Sequence, residues 1–369
     1  MMKTSLAFIV FLLWVVAITF SPLACGDVCS KEQTRALLEI RNSTNGFAFA
    51  GWDGRDCCLA PGIWCANGTV MRIDLVEAPS NITWYPNVTL FILFDDLEGL
   101  NLNNMQIGGG LEPFCQLKRL KRLSFLDLDY NRLDGIIPSC LGMIENIEGF
   151  FLSNNRLYGN LPPSMFSKQS KIADFDVSNN QLDGVLSFST FANASRLRYL
   201  DLSNNTDLEI ETESPSWVPT FQLNTLILAN CILNKKNGHV FPSFISSQVY
   251  LNWLDLSHNQ IVGSIPCQLL FNTSIRVLSM TSNKIDGSLS FGCFANQTSS
   301  LRSFDISDNN VTELSNNKLS GTIQRSLTRN GIRGLEIFPH ALITLHFGRR
   351  VLQTLPTRTI TQQTAGCMT

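Results

Sequence analysis

The segment Leu120–Pro138 reads LKRLSFLDLDYNRLDGIIP, and the segment Ile144–Pro162 reads IENIEGFFLSNNRLYGNLP. Both fit the pattern L-x-x-L-x-x-L-x-L-x-x-N-x-L-x-G-x-I/L-P without a gap. A weaker copy begins at Leu100, in which Met105 replaces the asparagine. An internal repeat of this length decides the architecture of a chain before any other feature. The central apolar position returns every 24 to 28 residues, at Leu126, Phe150, Phe175, Leu200, Leu226, Leu254, Leu278 and Phe304.

Each copy of the pattern predicts one short strand followed by a turn. Side chains alternate along L-x-L, so Leu126 and Leu128 are predicted to point inward. Phe125, Asp127 and Asp129 are then predicted to point outward. The asparagine stands where the chain leaves the strand, and its amide can both donate to and accept from turn backbone groups that stacking would bury. One coil cannot bury its own leucines, so the copies must stack into a curved solenoid.

The composition is that of a globular protein. The chain has 369 residues, a formal charge of −2, a pI of about 6.1 and 44% hydrophobic residues. This charge gives no indication of nucleic acid or of an acidic lipid surface as a partner. The apolar content is ample for a packed core. Eleven cysteines are more than a reduced cytosolic protein usually carries.

Residues 1–26 predict a secretory signal peptide. Lys3 is their only charge, and the apolar run from Leu6 to Phe20 is interrupted only by Thr19. The run is too short and wrongly flanked for a transmembrane span, and cleavage is predicted after Gly26. An uncleaved anchor is the alternative. In the secretory route the N-x-S/T sequons are candidate glycan acceptors, namely Asn42, Asn67, Asn81, Asn87, Asn193, Asn204, Asn272, Asn296 and Asn310.

Upstream of the repeats, the chain reads CSKEQTRALLEIRNSTNG from Cys29 and WDGRDCCLAPGIWC from Trp52. With the L-x-G-x-I-P repeats, these motifs resemble the leucine-rich-repeat receptor-like proteins of plants over about residues 29–323. The resemblance implies an α/β leucine-rich-repeat solenoid, with a curved parallel β-sheet on the concave face and a disulfide-bonded N-terminal cap. It also implies Cys29–Cys57 and Cys58–Cys65 bonds within that cap.

The predicted domains follow from the repeat and the resemblance. Residues 1–26 are the signal peptide, 27–70 the cap, and 71–323 about nine leucine-rich repeats. Residues 324–369 form an atypical tail that is predicted to be disordered. From Ile306 to the equivalent Leu314 the frame advances eight residues, and it does not return after Ile323. We therefore expect a truncated ectodomain, from altered splicing or a mispredicted gene, which lacks a membrane helix and would be secreted.

Two further cysteine pairs are candidates for bonds between neighbouring coils. Cys267 and Cys293 each lie eight residues before the first leucine-type position of a repeat, and Cys115 and Cys140 are also one repeat apart. Adjacent coils about 4.8 Å apart are within the reach of a disulfide. Free buried thiols are the alternative at each site. Two cysteines have no candidate partner, namely Cys231, which replaces the repeat asparagine, and Cys367.

The sequence predicts no enzyme, cofactor or metal site. It lacks the zinc-protease, hydrolase, redox, P-loop and kinase motifs. A retaining glycosidase would need two carboxyl groups about 5 Å apart, with one pKa raised by enclosure. An open strand face predicts no such enclosure, so a solvated row of carboxylates is the preferred interpretation. The outward carboxylates considered for that role are Asp127, Asp176, Asp201, Asp255 and Asp305.

Binding on the concave face is the remaining prediction. By resemblance, the chain recognises an extracellular peptide or other apoplastic ligand on the outer side of the plasma membrane and signals only through a partner kinase. A secreted inhibitor of a wall-degrading enzyme, of the polygalacturonase-inhibitor type, is one alternative, and a truncated product without function is another. Exposed aromatic residues are enriched at recognition surfaces. The predicted ligand-binding residues are Phe125, Tyr130, Phe151, Tyr199, Trp253 and His258.

Overall fold

The structure is a computed structural model. The predicted signal peptide, the Cys267–Cys293 pair, the sequons at Asn272 and Asn296 and the tail beyond residue 313 lie outside its described residues. Leu314, at the predicted break in the repeat, also lies outside them. The described residues are 29–79, 81–214, 217–266, 269, 274–288 and 302–313.

An eleven-stranded sheet forms the concave face, with its strands in sequence order. All pairs are parallel except the first, β1–β2, which is antiparallel. The central apolar residues of the pattern lie opposite one another, as in Leu126 with Phe150 and Leu200 with Leu226. The predicted parallel-sheet solenoid is thereby confirmed. Numbered in chain order, the strands are β1 Ile63–Ala66, β2 Thr69–Asp74, β3 Gly99–Asn101, β5 Phe125–Asp127, β7 Gly149–Phe151, β9 Asp174–Asp176, β11 Tyr199–Asp201, β13 Thr225–Ile227, β15 Trp253–Asp255, β17 Val277–Ser279 and β19 Ser303–Asp305.

The segment that follows the turn forms strands on a second flank of the coil, and several of these strands carry the glycine of L-x-G. They make a six-stranded and a three-stranded parallel sheet. Gly135 and Gly263 end two of these strands in a left-handed conformation, with φ of 87° and 84°, which favours a residue without Cβ. The strands are β4 Gly108–Gly109, β6 Arg132–Gly135, β8 Arg156–Gly159, β10 Gln181–Ser187, β12 Asp207–Glu211 and β14 Ile232–Leu233, then β16 Val262–Gly263, β18 Lys284–Ser288 and β20 Asn310–Glu313.

The convex side is made of short 3-10 helices and extended segments. Their apolar residues pack with the strand leucines into one core, in which Phe150, Phe175, Phe188 and Phe191 are almost fully buried. Phe166 contacts Phe175 and Phe191 at ring-centroid distances of 5.0 and 4.6 Å. The 3-10 helices are Cys57–Leu59, Val88–Leu93, Glu112–Arg119, Ser139–Met143, Pro163–Phe166, Phe188–Phe191, Lys235–Asn237 and Ser243–Ser247.

An α-helix and two disulfides close the N-terminal end of the core. Helix α1, Lys31–Ser43, begins with a capping box in which Ser30 Oγ accepts a hydrogen bond from Gln33 N at 3.0 Å. Its buried face is formed by Ala36, Leu37 and Ile40. The predicted bonds Cys29–Cys57 and Cys58–Cys65 are confirmed. A cap of this kind covers the apolar cross-section that the first coil would otherwise expose.

A third disulfide, Cys115–Cys140, joins the convex segments of two consecutive coils. Its Cα atoms are 5.5 Å apart, within the range that a disulfide accepts. Cys115 lies in the 3-10 helix Glu112–Arg119, and Cys140 lies in the 3-10 helix Ser139–Met143. The bond adds a covalent tie on the side of the solenoid opposite the concave sheet.

The repeat asparagines tie each coil to the coil before it. At Asn180, Nδ2 donates to Val177 O in its own coil and to Leu152 O in the preceding coil, both at 3.0 Å. Its Oδ1 accepts from Leu157 N, also at 3.0 Å. These bonds satisfy backbone groups that stacking buries, as predicted from the amide chemistry. The same donor pattern recurs at Asn131, Asn155, Asn205, Asn259, Asn283 and Asn309.

Cys231 keeps only half of this arrangement. Its Sγ donates to Leu202 O at 3.3 Å. A thiol in this place does not accept from the backbone N–H of Leu208, as an asparagine Oδ1 would, and Leu208 N donates to Asn205 O instead. The thiol is buried among the coils, and this burial is the main reason that its pKa rises from an ordinary value of 9.0 to about 12. Cys231 is therefore a structural thiol with a suppressed thiolate form.

Replacing Asn180 with alanine should destabilise the solenoid strongly. The change leaves the buried Leu157 N–H without its acceptor, which costs about 1–3 kcal/mol, whereas Leu152 O and Val177 O keep Asn155 and Asn205 as donors. We expect a loss of about 1–3 kcal/mol in the free energy of unfolding, measured by urea denaturation. Gln181→Ala, at the exposed neighbouring position, is the matched control and should change stability by less than about 0.5 kcal/mol. Equal effects of the two variants would contradict the role of the amide.

The raised pKa of Cys231 predicts a loss of stability at alkaline pH. The folded protein binds the thiol proton more tightly than the unfolded chain, so the contribution is complete below pH 9 and disappears as the pH rises from about 9 towards 12. Urea unfolding midpoints of the natural chain should therefore fall more steeply above pH 9 than those of Cys231→Ala. Parallel pH profiles for the two proteins would rule out this linkage.

Candidate recognition surface

The concave sheet presents two columns of side chains that run along the solenoid. The first column holds the residue before each central apolar position, and the second column holds the residue after it. Strand register aligns both columns, as Phe125 lies opposite Gly149 and Asp127 lies opposite Phe151. Neighbouring members are about 4.8 Å apart along the hydrogen-bonding direction. From β2 onward the first column is Arg72, Gly99, Phe125, Gly149, Asp174, Tyr199, Thr225, Trp253, Val277 and Ser303, and the second is Asp74, Asn101, Asp127, Phe151, Asp176, Asp201, Ile227, Asp255, Ser279 and Asp305.

Four of the six predicted binding residues lie in these columns. Phe125, Tyr199 and Trp253 are in the first column and Phe151 is in the second. Trp253 is 45% exposed, whereas the other three are half-buried. Phe125 and Phe151 are in contact, with ring centroids 5.4 Å apart. One strand, β13, lies between Tyr199 and Trp253.

The other two predicted residues lie at the turn that follows the strand. Tyr130 and His258 are exposed and adopt left-handed conformations, with φ of 56° and 59°. Asparagine occupies the same position in four consecutive coils, and its short polar side chain tolerates this conformation better than a bulky residue. We name this set of positions the turn column. Its members are Asn104, Tyr130, Asn154, Asn179, Asn204, Asn230, His258, Ser282 and Asp308.

The prediction of a solvated row of carboxylates is wrong for Asp176 and Asp201. They are only 2% and 8% exposed, and the carboxylate of each accepts hydrogen bonds from the backbone and hydroxyl of a serine two residues later. Asp129, also predicted to point outward, is fully buried and accepts from Ser153 N. For Asp176 and Asp201 the cause is the tight turn after the strand, which needs an acceptor for its N–H groups. These two carboxylates shape their turns, whereas Asp129 joins its coil to the next one.

The remaining carboxylates of the row are partly exposed and have the same local role. Asp127, Asp255 and Asp305 are half-buried, and each accepts a hydrogen bond from the backbone N–H two residues later at 2.9 to 3.0 Å. Each therefore caps its turn while keeping part of its carboxylate at the concave surface. Their negative charge contributes to the field over the sheet.

Two glycines and one arginine shape the N-terminal part of the surface, and the sequence pattern did not identify them. A Cβ atom at Gly149 would lie 3.0 Å from Phe151 Cε2 and 3.1 Å from Phe125 Cδ2, so both rings lie over bare backbone. A Cβ at Gly99 would lie 3.1 Å from Arg72 Cγ. We name Arg72, Phe125 and Phe151, with these two glycines, the aromatic platform.

The platform continues into the cap through Trp64. Trp64 lies opposite Arg72 in the β1–β2 pair, so the two side chains share a face, and Trp64 is 57% exposed. Arg72 Nε donates to both Asp74 oxygens at 2.8 and 2.9 Å, and its guanidinium carbon is 5.1 Å from the Phe125 ring centroid. The register of β1 could have identified Trp64, but only after β1 was recognised as part of the concave sheet.

The C-terminal part of the surface is centred on Trp253. Thr225 and Val277 flank it in the first column, and Ile227 takes the second-column position of the preceding coil. Arg276 and Arg302 precede strands β17 and β19 at the same point of consecutive coils and are exposed. Within the described residues, no carboxylate forms an ion pair with either arginine.

Ion pairs line the rim of the sheet further towards the N-terminus. Arg198 forms two hydrogen bonds with Asp174, at 3.0 and 2.9 Å, and these bonds raise the pKa of Arg198 above its ordinary value. Arg122 bonds Asp96 at 2.6 Å. Both arginine side chains are about half exposed, so these pairs add little to stability. They position charge along the edge of the concave surface.

A cavity of about 450 Å³ lies away from the concave columns. It is lined by residues 142–147 and parts of 165–171, including Met143, Glu145 and Lys171. None of its lining residues belongs to either column or to the turn column. It therefore adds nothing to the recognition surface.

The seven sequons within the described residues are all exposed. Asn204 differs from the others because it lies in the turn column. Its Nδ2 donates to Asn179 Oδ1 at 3.0 Å, and its Oδ1 accepts from Asn230 Nδ2 at 3.1 Å. Glycosylation at all nine sequons remains a prediction, and a glycan on Asn204 would stand at the edge of the concave surface.

Among the described residues, no helix has the length and apolar character needed to cross a membrane. The chain matches the Leucine Rich Repeat family model at residues 122–144 and 250–271. It is 33% identical over 176 residues to Receptor-like protein 1 of Arabidopsis thaliana, which covers 47% of this chain and 16% of that protein. It is 31% identical over 254 residues to Cuscuta receptor 1 of Solanum lycopersicum, covering 67% of this chain and 21% of that one. The chain thus spans about a fifth or less of these relatives.

The fold is shared with other solved structures, including the following two. The ectodomain of the plant membrane receptor kinase GASSHO1/SCHENGEN3 from Arabidopsis thaliana, solved with CASPARIAN STRIP INTEGRITY FACTOR 2, has a TM-score of 0.54 at 19% identity and covers 80% of this chain and 42% of its own. A plant ice-binding protein has a TM-score of 0.51 at 21% identity, and the match covers 77% of this chain and 96% of that protein's chain. With the cap and the repeat frame, these findings identify the chain as a leucine-rich-repeat protein of the plant receptor-like group.

Proposed function

We propose that the chain is an extracellular recognition module that binds a peptide or other apoplastic ligand on its concave sheet. The main support is the uncovered concave face itself, on which Trp253 is 45% exposed in the middle of aligned strands. A tryptophan loses little rotamer freedom on binding and can bury a large apolar area. The flanking Thr225 and Val277 leave its ring as the largest side chain on that part of the sheet.

The relatives support the receptor part of this proposal. The curated proteins are named as receptor-like proteins and as a receptor. The solved receptor-kinase ectodomain is bound to a partner named as an integrity factor. From the similarity to receptor-like proteins, we propose that any signal passes through a partner kinase at the plasma membrane. The partner kinase and the ligand on the concave face are both proposals drawn from this similarity.

Trp253→Ala should weaken ligand binding without unfolding the protein. Truncating a central aromatic anchor commonly costs about 2 kcal/mol or more, which is roughly a thirtyfold loss of affinity. The full chain, Trp253→Ala and Tyr158→Ala would be immobilised and exposed to size-fractionated apoplastic peptides and to wall-enzyme preparations, with binding followed by interferometry.

Tyr158 provides the matched control because it is aromatic, 50% exposed and located in β8, outside the concave sheet. We expect Tyr158→Ala to bind like the natural chain. Unchanged binding by Trp253→Ala, with its unfolding midpoint preserved, would remove Trp253 and weaken the concave-face proposal. Binding confined to the wall-enzyme preparation would favour the enzyme-inhibitor alternative.

A further inference from the structure

The aromatic platform has a geometry that suits one class of ligand group. Phe125 and Phe151 lie 5.4 Å apart at an interplanar angle of 44°, over the bare backbone of Gly149. Both rings are half-buried, so each keeps part of its surface open to the concave side. An aromatic face carries partial negative charge and attracts a cation placed over it.

One cation already occupies part of this surface. The Arg72 guanidinium lies 5.1 Å from the centre of the Phe125 ring, where Asp74 holds it in place. This contact shows that the platform accepts a guanidinium at its N-terminal side. Within the described residues, no lysine or arginine lies over the Phe151 ring. The platform is therefore filled by a cation at one end only.

The charges of the two columns favour a second cation. From β2 to β19 they contain one arginine and seven aspartates, a formal sum of 1 − 7 = −6. Asp176 and Asp201 are buried, but Asp127 is half-exposed in the second column beside Phe151. A surface with a net negative charge raises the local concentration of cationic ligands.

The charges at the rim of the sheet favour binding of a cationic group at the N-terminal coils. Glu98 and Glu148 precede β3 and β7, next to the platform, and their pairs with Arg122 and Arg196 are long, at 3.7 and 3.5 Å, and about half exposed. At the other end, Arg276 and Arg302 stand beside the Trp253 part of the surface. A cationic group is therefore favoured over the platform and disfavoured near those arginines.

We propose that the aromatic platform binds a basic side chain, arginine or lysine, of an extended peptide ligand. The cation lies over the Phe151 ring with Asp127 beside it, and the peptide continues along the columns towards Trp253. This inference rests on the proposed function, because it specifies the ligand chemistry of the same concave face. A neutral occupant such as a sugar would use the same rings but would not depend on the charge of the surface.

Binding of three synthetic peptides tests the proposal. Each would be a fluorescein-labelled nine-residue Gly-Ser peptide, carrying three arginines, three glutamates or no charged residue. Fluorescence anisotropy with the full chain at 50 and 200 mM NaCl gives the dissociation constants. We expect the arginine peptide to bind most tightly and to lose affinity at the higher salt concentration, because exposed charges are screened.

The variants separate ring recognition from general attraction to an acidic protein. Phe125→Leu/Phe151→Leu keeps the apolar burial and the net charge but removes both aromatic faces, so the arginine peptide should bind it about threefold to thirtyfold more weakly. Tyr158→Leu, which removes an exposed ring outside the concave sheet, should bind like the natural chain. Matching unfolding midpoints would show that all three proteins are folded.

Several results would overturn the proposal. Equal binding of the arginine peptide to the natural chain and to the double leucine variant would show that the rings do not participate. Equal binding of all three peptides, insensitive to salt but lost in the double variant, would indicate a neutral occupant. Absence of binding by the arginine peptide would exclude the basic-ligand proposal. None of these results depends on Trp253→Ala or the apoplastic fractions, so the proposed function can stand or fail separately.

Discussion

The solenoid depends on one interaction, the donation of a buried side chain to carbonyl groups of two consecutive coils. The concave strands from β3 onward are only three residues long, so ladder hydrogen bonds alone give them little to fix their register. Asn180 and its equivalents donate to both coils at the turn and align them. The acceptor half of the amide is less essential. Cys231 has lost it, and the buried Oδ1 of Asn259 has no hydrogen-bond partner within the described residues. Donation is therefore kept in each described coil from β5 to β19, whereas Met105 stands at this position in the preceding coil.

The same turn determines which polar residues of the concave face remain for recognition. The carboxylates of Asp176 and Asp201 are used in folding, because they cap the turns that deliver the asparagine to its position. Replacing either would disturb the coil before it affected a ligand. The positions that differ from the repeat are free of this task. Phe151 stands where most coils have aspartate, and Trp253 stands in a column without any required residue type. On a repeat protein, the functional surface is thus formed by positions whose residues depart from the repeat pattern.

The sequence was sufficient for the fold but not for the shape of the surface. The spacing of Leu126, Phe150 and Leu200 predicted the strands, because period-two alternation and stacking leave one way to bury them. Alternation also gave the direction of Asp176, but not its burial, which comes from the turn that folds back over it. The platform could not be predicted because it joins residues from separate coils. Gly149 matters only through the Phe151 ring two residues after it and the Phe125 ring 24 residues before it, and that proximity requires the register of two strands, β5 and β7.

The turn column shows where folding and recognition differ in their demands. In its middle part the side chains of Asn179, Asn204 and Asn230 are linked by hydrogen bonds, and asparagine accepts the left-handed backbone readily. Tyr130 and His258 hold the same conformation at a cost of order 1 kcal/mol. Stacking requires neither residue there, since asparagine serves in neighbouring coils. Under the proposed function, contact with ligand offsets this cost. The two side chains flank the asparagine row at opposite ends, one beside the aromatic platform and one beside Trp253, so they mark the length of surface over which an extended ligand would be held.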